Sequence, residues 1–214
     1  ITDIATFART LELVLDAGKG IVGSFQLRLK SDQKEPAAGK LTLPPAERDR
    51  ILQAAELLIP ICHQHEVAFI LNDLPQLAKE CGADGVHIGQ EDGDIKAVRT
   101  IVGENAVIGV SCHDSAHLAM EAGEQGADYV AFGAFFPTTS KTDAAKKVWG
   151  VPKPDIIKDW VETTTVPCVA IGGITPQNCR PLVEAGADFL AVITAVWWHP
   201  ESPVAAIRDF RKAL

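Results

Sequence analysis

Residues 82–92 read Gly-Ala-Asp-Gly-Val-His-Ile-Gly-Gln-Glu-Asp, and the opening tripeptide returns at Gly126-Ala127-Asp128 and Gly186-Ala187-Asp188. Each copy stands directly before a short apolar run, at 85–88, 129–133 and 189–193. The glycine can take the left-handed conformation that ends a helix. The alanine is small enough for a tight turn, and a strand follows at once. A helix-to-strand joint repeated at the same point of the pattern is what a fold of quasi-equivalent units requires.

Reading outward from these joints, further apolar runs occupy 21–27, 67–71, 107–110 and 166–171. Each has the length of a buried parallel strand. The segments between them carry helical spacing, as in Ala116, Ala119, Met120 and Gly123, or Cys179, Leu182, Val183 and Gly186. Strand and helix in alternation predict a parallel sheet. Seven strands are visible, and an eighth is expected before Ile1, with Thr2-Asp3 as its end. Eight units close a barrel, whereas seven leave edges. The expectation is a single-domain (β/α)8 TIM barrel over residues 1–214, its first strand truncated. A loop insertion is expected at about 31–47, rich in Pro, Gly, Lys and Glu and on the face that carries function.

A chain of 214 residues suits one such barrel. Its net charge of −8 repels a nucleic-acid backbone, so no nucleic-acid partner is expected. No apolar run approaches the roughly 20 residues of a membrane span, and no signal peptide is visible. Cys62, Cys81, Cys112, Cys168 and Cys179 are odd in number and lack a CxxC pair. They read as reduced thiols of a cytoplasmic protein, not as a disulfide framework or a zinc site. The oligomeric state is not legible.

In a parallel barrel, chemistry gathers where strands end. After the first run, the period of two puts Gln26, Arg28 and Lys30 on one side and Leu27 and Leu29 on the other. An amide, a guanidinium and an ammonium together suit a polyanion; a solvated strand end is the plainer alternative. Asn72-Asp73 and Gly89-Gln90-Glu91-Asp92 follow the next two runs. Asp73 and Asp92 could share Mg²⁺, which takes one or two carboxylates plus waters and phosphate oxygens, or each could cap a turn or helix. Ser111 follows the run at 107–110 as a phosphate donor or nucleophile, without a Ser–His–Asp arrangement around it. Thr138, Thr139, Ser140 and Lys141 follow the run at 129–133 as anion ligands or a polar surface loop. Gly172-Gly173-Ile174-Thr175 and Ile193-Thr194 close the last two runs. Paired glycines before a helix expose backbone N–H groups to a phosphate. His63 and His65 read as helix residues touching solvent or core, His87 as a mid-strand residue that could face either way, and Trp197 and Trp198 as packing.

Gln26-x-Arg28-x-Lys30, Asn72-Asp73, His87-Ile88-Gly89-Gln90-x-Asp92, Gly109-Val110-Ser111, Pro137-Thr138-x-x-Lys141 and Gly172-Gly173-Ile174-Thr175 together resemble the thiamine-phosphate synthase family. The match runs in order from about Gln26 to Ala195. The resemblance implies an enzyme that joins a hydroxymethylpyrimidine diphosphate to a thiazole phosphate with release of pyrophosphate. It implies that Arg28, Lys30, Asn72, Ser111 and Lys141 hold the diphosphate, with Gln26 in the same motif. It implies Asp73 and Asp92 as Mg²⁺ ligands, and Thr138, Thr139, Ser140, Gly173, Ile193 and Thr194 on the thiazole-phosphate side. Arg28, Lys30, Ser111 and Lys141 are then the catalytic set.

The chain departs from the family pattern at Leu29, where many relatives have Glu. Ser140 and Thr194 exchange one hydroxyl residue for another, and the 31–47 segment is longer than usual. Three rival readings are a thiazole tautomerase-like paralogue, which would not need the full diphosphate and Mg²⁺ set, another phosphate-binding barrel isomerase or epimerase, which would need a proton-transfer group at the barrel mouth, and a non-enzymatic binding or regulatory protein that kept a ligand pocket, against which the completeness of the ligand set argues.

Overall fold

The computed structural model describes residues 3–29, 43–89, 94–138 and 150–214. Seven strands form one parallel sheet in sequence order: β1 (Ser24–Leu27), β2 (Ala68–Asn72), β3 (Gly85–Ile88), β4 (Val107–His113), β5 (Tyr129–Phe132), β6 (Cys168–Ile171) and β7 (Phe189–Ala191). The order is linear, so the described residues form an open sheet with β1 and β7 as edges, not the closed eight-stranded barrel expected from the sequence. No eighth strand is present among the described residues: Asp3, expected as a strand end, has its carboxylate accepting from the N–H groups of Ala5 and Thr6 at 3.0 and 3.2 Å and caps a helix, α1 (Ile4–Ala17).

The chain groups into two compact units, Ile1–Ile108 and Gly109–Leu214, with the boundary inside β4. The first unit carries α1, α2 (Pro45–Gln64), α3 (Pro75–Cys81) and α4 (Ile95–Val102) around β1 to β3. The expected loop to residue 47 is shorter at its end, because Pro44 precedes a helix that opens with Pro45 and has Glu47 in its first turn; residues 31–42 of that segment lie outside the described residues. In α2, Ile51, Ala54, Ala55, Leu58 and Cys62 are buried at helical spacing. The sheet face beneath the helices is apolar: Phe25 sits 6.0 Å from Phe7 of α1 and 5.9 Å from Phe69, ring centroid to centroid. The alternation in β1 leaves Ser24 and Gln26 exposed while Phe25 and Leu27 are buried.

The second unit carries α5 (Ala116–Glu124), α6 (Asp155–Thr163), α7 (Arg180–Glu184), α8 (Thr194–Trp197) and α9 (Pro203–Ala213) with most of β4 and β5 to β7. Phe132 meets the Trp160 ring edge-on at 5.6 Å, and the indole N–H of Trp160 donates to the Val166 carbonyl at 2.8 Å. On the opposite face, Gly109 pairs with Tyr129, and a Cβ at Gly109 would fall on the Tyr129 ring. Met120, expected on the buried stripe of its helix, is instead exposed, while Ala119 and Ala122 face inward.

The repeated tripeptide has a second role beyond the turn. Asp84 N–H donates to the Phe69 carbonyl at 3.0 Å, and the Phe69 N–H donates back to the Asp84 carboxylate at 2.7 Å. Asp188 and Cys168 repeat the exchange at 3.1 and 2.8 Å. In both units the aspartate thus ties the start of one strand to its neighbour. His63, at the end of α2, adds a contact to the Asp84 carboxylate at 2.9 Å.

Candidate active site

In the first unit the candidate residues lie on the sheet face opposite the helices. Gly85 looks onto Ile70, since a Cβ at Gly85 would crowd the Ile70 Cδ1 at 2.9 Å. By the period of two, Asn72 and His87 share that face, and they are register partners. Gln26, paired with Ile70, lies there too, and its side-chain amide donates to the Asn72 Oδ1 at 2.5 Å. The Asn72 amide nitrogen in turn donates to the Asp73 carboxylate. Asp73 adopts a left-handed backbone at φ 64°, and its N–H donates to the His87 carbonyl at 2.8 Å. The positive φ turns the chain at the strand end. Asp tolerates it because its short polar side chain bonds locally.

Burial, and then the nearby Arg28 guanidinium, push the His87 imidazole down to about 4, so the ring is neutral at ordinary pH. Gln26, Asn72 and Asp73 thus form one hydrogen-bonded chain at the ends of β1 and β2, and Arg28 follows β1 two residues after Gln26. Asp73 offers a hard, charged oxygen at a strand end, which suits Mg²⁺. Lys30 and Asp92, the other cation and carboxylate expected on this side, lie outside the described residues.

The second unit contributes a separate cluster. Ser111 lies on the inner face of β4, paired with Ala131, just before a register shift where His113 takes φ 55°. The chain leaving β5 is pinned onto the glycine turn after β6. Phe135 N–H donates to the Ile171 carbonyl and Phe136 N–H to the Gly172 carbonyl, each at 3.1 Å. Gly172 and Gly173 have φ 92° and 66°. A Cβ at Gly173 would sit 2.5 Å from the Pro137 carbonyl oxygen and 2.8 Å from Phe136 Cβ. The second glycine is thus required twice, by conformation and by the close approach of the segment leading to Thr138. Ile193 precedes α8 and Thr194 opens it, both exposed. Thr139, Ser140 and Lys141 lie outside the described residues.

Sequence reasoning missed two residues. Asn178 braces the glycine turn, its Oδ1 accepting from Thr175 N–H at 2.8 Å and its Nδ2 donating to the Gly173 carbonyl at 3.0 Å. Its signal was an Asn three residues after the Gly-Gly-Ile-Thr string, the offset of a side chain that folds back on a turn. His87 was left without a face, because four successive buried residues in β3 erase the alternation that would have assigned one.

Residues 1–196 match the family model described as thiamine monophosphate synthase. The chain belongs to this family. A relative named thiamine-phosphate synthase from Rhodospirillum centenum is 50% identical over 212 residues, covering 99% of this chain and 92% of the relative. Another of that name from Erythrobacter litoralis is 49% identical over 210 residues, covering 97% and 89%. Among solved structures, a thiamine phosphate pyrophosphorylase from Pyrococcus furiosus superposes with a TM-score of 0.74 at 28% identity, covering 95% of this chain and 88% of that one.

Proposed function

We propose that this chain is a thiamine-phosphate synthase, a transferase that forms a carbon–nitrogen bond as a diphosphate leaves. One observation carries the reading: Asn72 links Gln26 to Asp73 at the ends of β1 and β2, with Arg28 just after β1, in a chain 50% identical to a named synthase over nearly its whole length.

The chemistry follows from the side chains. The bond between the pyrimidine methylene carbon and the diphosphate oxygen breaks, and its electron pair leaves with pyrophosphate. The electron-rich aminopyrimidine carries the cation that results. The lone pair of the thiazole nitrogen then forms the new bond to that carbon. Arg28, Lys30 and Lys141 stabilise the charge gathering on the departing group, with Asn72 and Ser111 donating to it. Gln26 fixes the Asn72 amide so that its nitrogen points to Asp73. Asp73 and Asp92 would hold Mg²⁺, which supplies further charge neutralisation at the diphosphate. The turn at Gly172-Gly173, with Thr138, Thr139, Ser140, Ile193 and Thr194, receives the phosphate of the thiazole. No enzymic nucleophile is required, because the protein positions two substrates and favours a leaving anion. Among the described residues no helix is long and apolar enough to cross a membrane; the reading is of a cytoplasmic enzyme with small-molecule substrates.

Purified protein with both substrates and Mg²⁺ should yield thiamine phosphate and pyrophosphate in equal amounts, and a chelator should stop the reaction. Lys141→Ala should slow turnover by about two orders of magnitude or more, as loss of a charge stabiliser does. No thiamine phosphate from the wild-type protein would overturn the reading.

A further inference from the structure

Three successive carbonyls of the glycine turn are held by donors from elsewhere in the second unit. Those of Ile171 and Gly172 accept from the N–H groups of Phe135 and Phe136, each at 3.1 Å. That of Gly173 accepts from Asn178 Nδ2 at 3.0 Å, while Asn178 Oδ1 takes the Thr175 N–H at 2.8 Å. The Thr175 carbonyl in turn accepts from the N–H groups of Asn178 and Cys179 at 3.2 and 3.0 Å, and Cys179 is fully buried, so the backbone that carries Asn178 is anchored in the core. By contrast, neither the Gly173 nor the Ile174 N–H has an acceptor among the described residues. Both belong to trans peptides, in which the N–H points away from the carbonyl before it. Holding the Gly172 carbonyl against Phe136 therefore directs the Gly173 N–H away from that segment. Holding the Gly173 carbonyl against Asn178 directs the Ile174 N–H away from the amide.

We propose that Asn178 is a positioning residue for the thiazole phosphate, fixing the Gly173–Ile174 peptide so that the Ile174 N–H, beside that of Gly173, meets the phosphate. The inference rests on the synthase reading above and deepens its phosphate side. Successive N–H groups next to a left-handed residue form an anion-binding turn, and Gly173 stands at φ 66°. Glycine leaves the peptide on either side of it free to rotate, so the direction of the Ile174 N–H needs an outside hold. An amide is suited to it, with a donor for the Gly173 carbonyl and an acceptor for the Thr175 N–H on one short side chain. A carboxylate would keep the second bond and lose the first. Fixing the peptide before substrate arrives removes an ordering cost from phosphate binding.

The test uses the full chain, isotope-labelled for amide NMR, with the thiazole phosphate as the probe. In the wild type its addition should shift the Gly173 and Ile174 amide resonances together. In Asn178→Ala the Ile174 shift should be lost. KM for the thiazole phosphate should rise by about tenfold, with kcat and KM for the pyrimidine diphosphate near their wild-type values. Asn178→Asp keeps the acceptor for the Thr175 N–H and loses the donor to the Gly173 carbonyl. It should regain most of the melting temperature lost in Asn178→Ala without regaining the Ile174 shift. Recovery of both together would mark a role in stability alone and overturn the proposal. An Ile174 shift that survives in Asn178→Ala, or equal rises in both KM values, would overturn it too. If Asn178→Ala shows no cooperative melt, Asn178→Ser takes its place in each measurement. A wild type that makes thiamine phosphate but shifts neither amide sinks the positioning role and leaves the synthase reading standing, whereas a wild type that makes no thiamine phosphate sinks that reading itself.

Discussion

The carboxylate of Asp188 accepts the backbone N–H of Cys168 at 2.8 Å, while the Asp188 N–H donates to the Cys168 carbonyl. One aspartate thus closes both backbone groups at the start of β6. This happens at the end of the strand away from the glycine turn. Asp188→Ala leaves the buried Cys168 without that acceptor. Stability measured by urea unfolding should fall by about 1–3 kcal/mol, the range for a lost charged acceptor, with kcat and KM close to wild type.

The glycine turn behaves in the opposite way. Gly173→Ala meets both a left-handed backbone and the Pro137 carbonyl. The pinned segment leading to Thr138 must shift. KM for the thiazole phosphate should rise by about tenfold or more, while pyrophosphate binding is spared. Steady-state kinetics with each substrate varied in turn separates the two.

His87 gives stability a defined acid limb. In the unfolded chain the imidazole gains its proton as pH falls through 6.5, but in the folded chain only near 4. Between those values the unfolded state binds more protons, so acid favours unfolding. Stability should decline as pH drops from 6.5 toward 4, by up to about 3 kcal/mol from this residue. His87→Asn should flatten that limb in urea titrations over the same window.

The five thiols should divide four to one. Cys62, Cys112, Cys168 and Cys179 are buried, and Cys81 is half-buried. Burial pushes the Cys62 and Cys112 thiols up to about 12, so they carry almost no thiolate at pH 8. A disulfide reagent should modify Cys81 first in the native protein and all five thiols in denaturant. Cys81→Ser should remove the fast phase.

The sheet was legible because its signals are local. Each of the seven apolar runs became a strand, shifted at its ends where neighbouring pairing decides the limit, as at β1, which begins at Ser24 rather than Ile21. The side of Gln26 followed from alternation alone. Closure of the sheet was not legible, since it depends on which strand finds which partner, and Asp3 reads equally as a strand end or a helix cap. The second role of the Gly-Ala-Asp joints was equally hidden: the turn is a property of three residues, but the bond from Asp84 to Phe69 joins positions fifteen apart. His87 needed its partner Asn72 before its face could be known. Lys30, Asp92, Thr139, Ser140 and Lys141, whose roles the family resemblance implies, lie outside the described residues, and those roles belong to the proposal.

Strand β1 interleaves two jobs in four residues: Phe25 and Leu27 fill the interior, and Gln26, exposed on the other face, reaches Asn72. Because the pleat repeats every second residue, deleting or inserting one amino acid here would send the phenyl ring to the solvent and drive the Gln26 amide into oil. A change of length in this segment therefore disturbs both faces at once, whereas an exchange at one position disturbs only the face which that residue occupies.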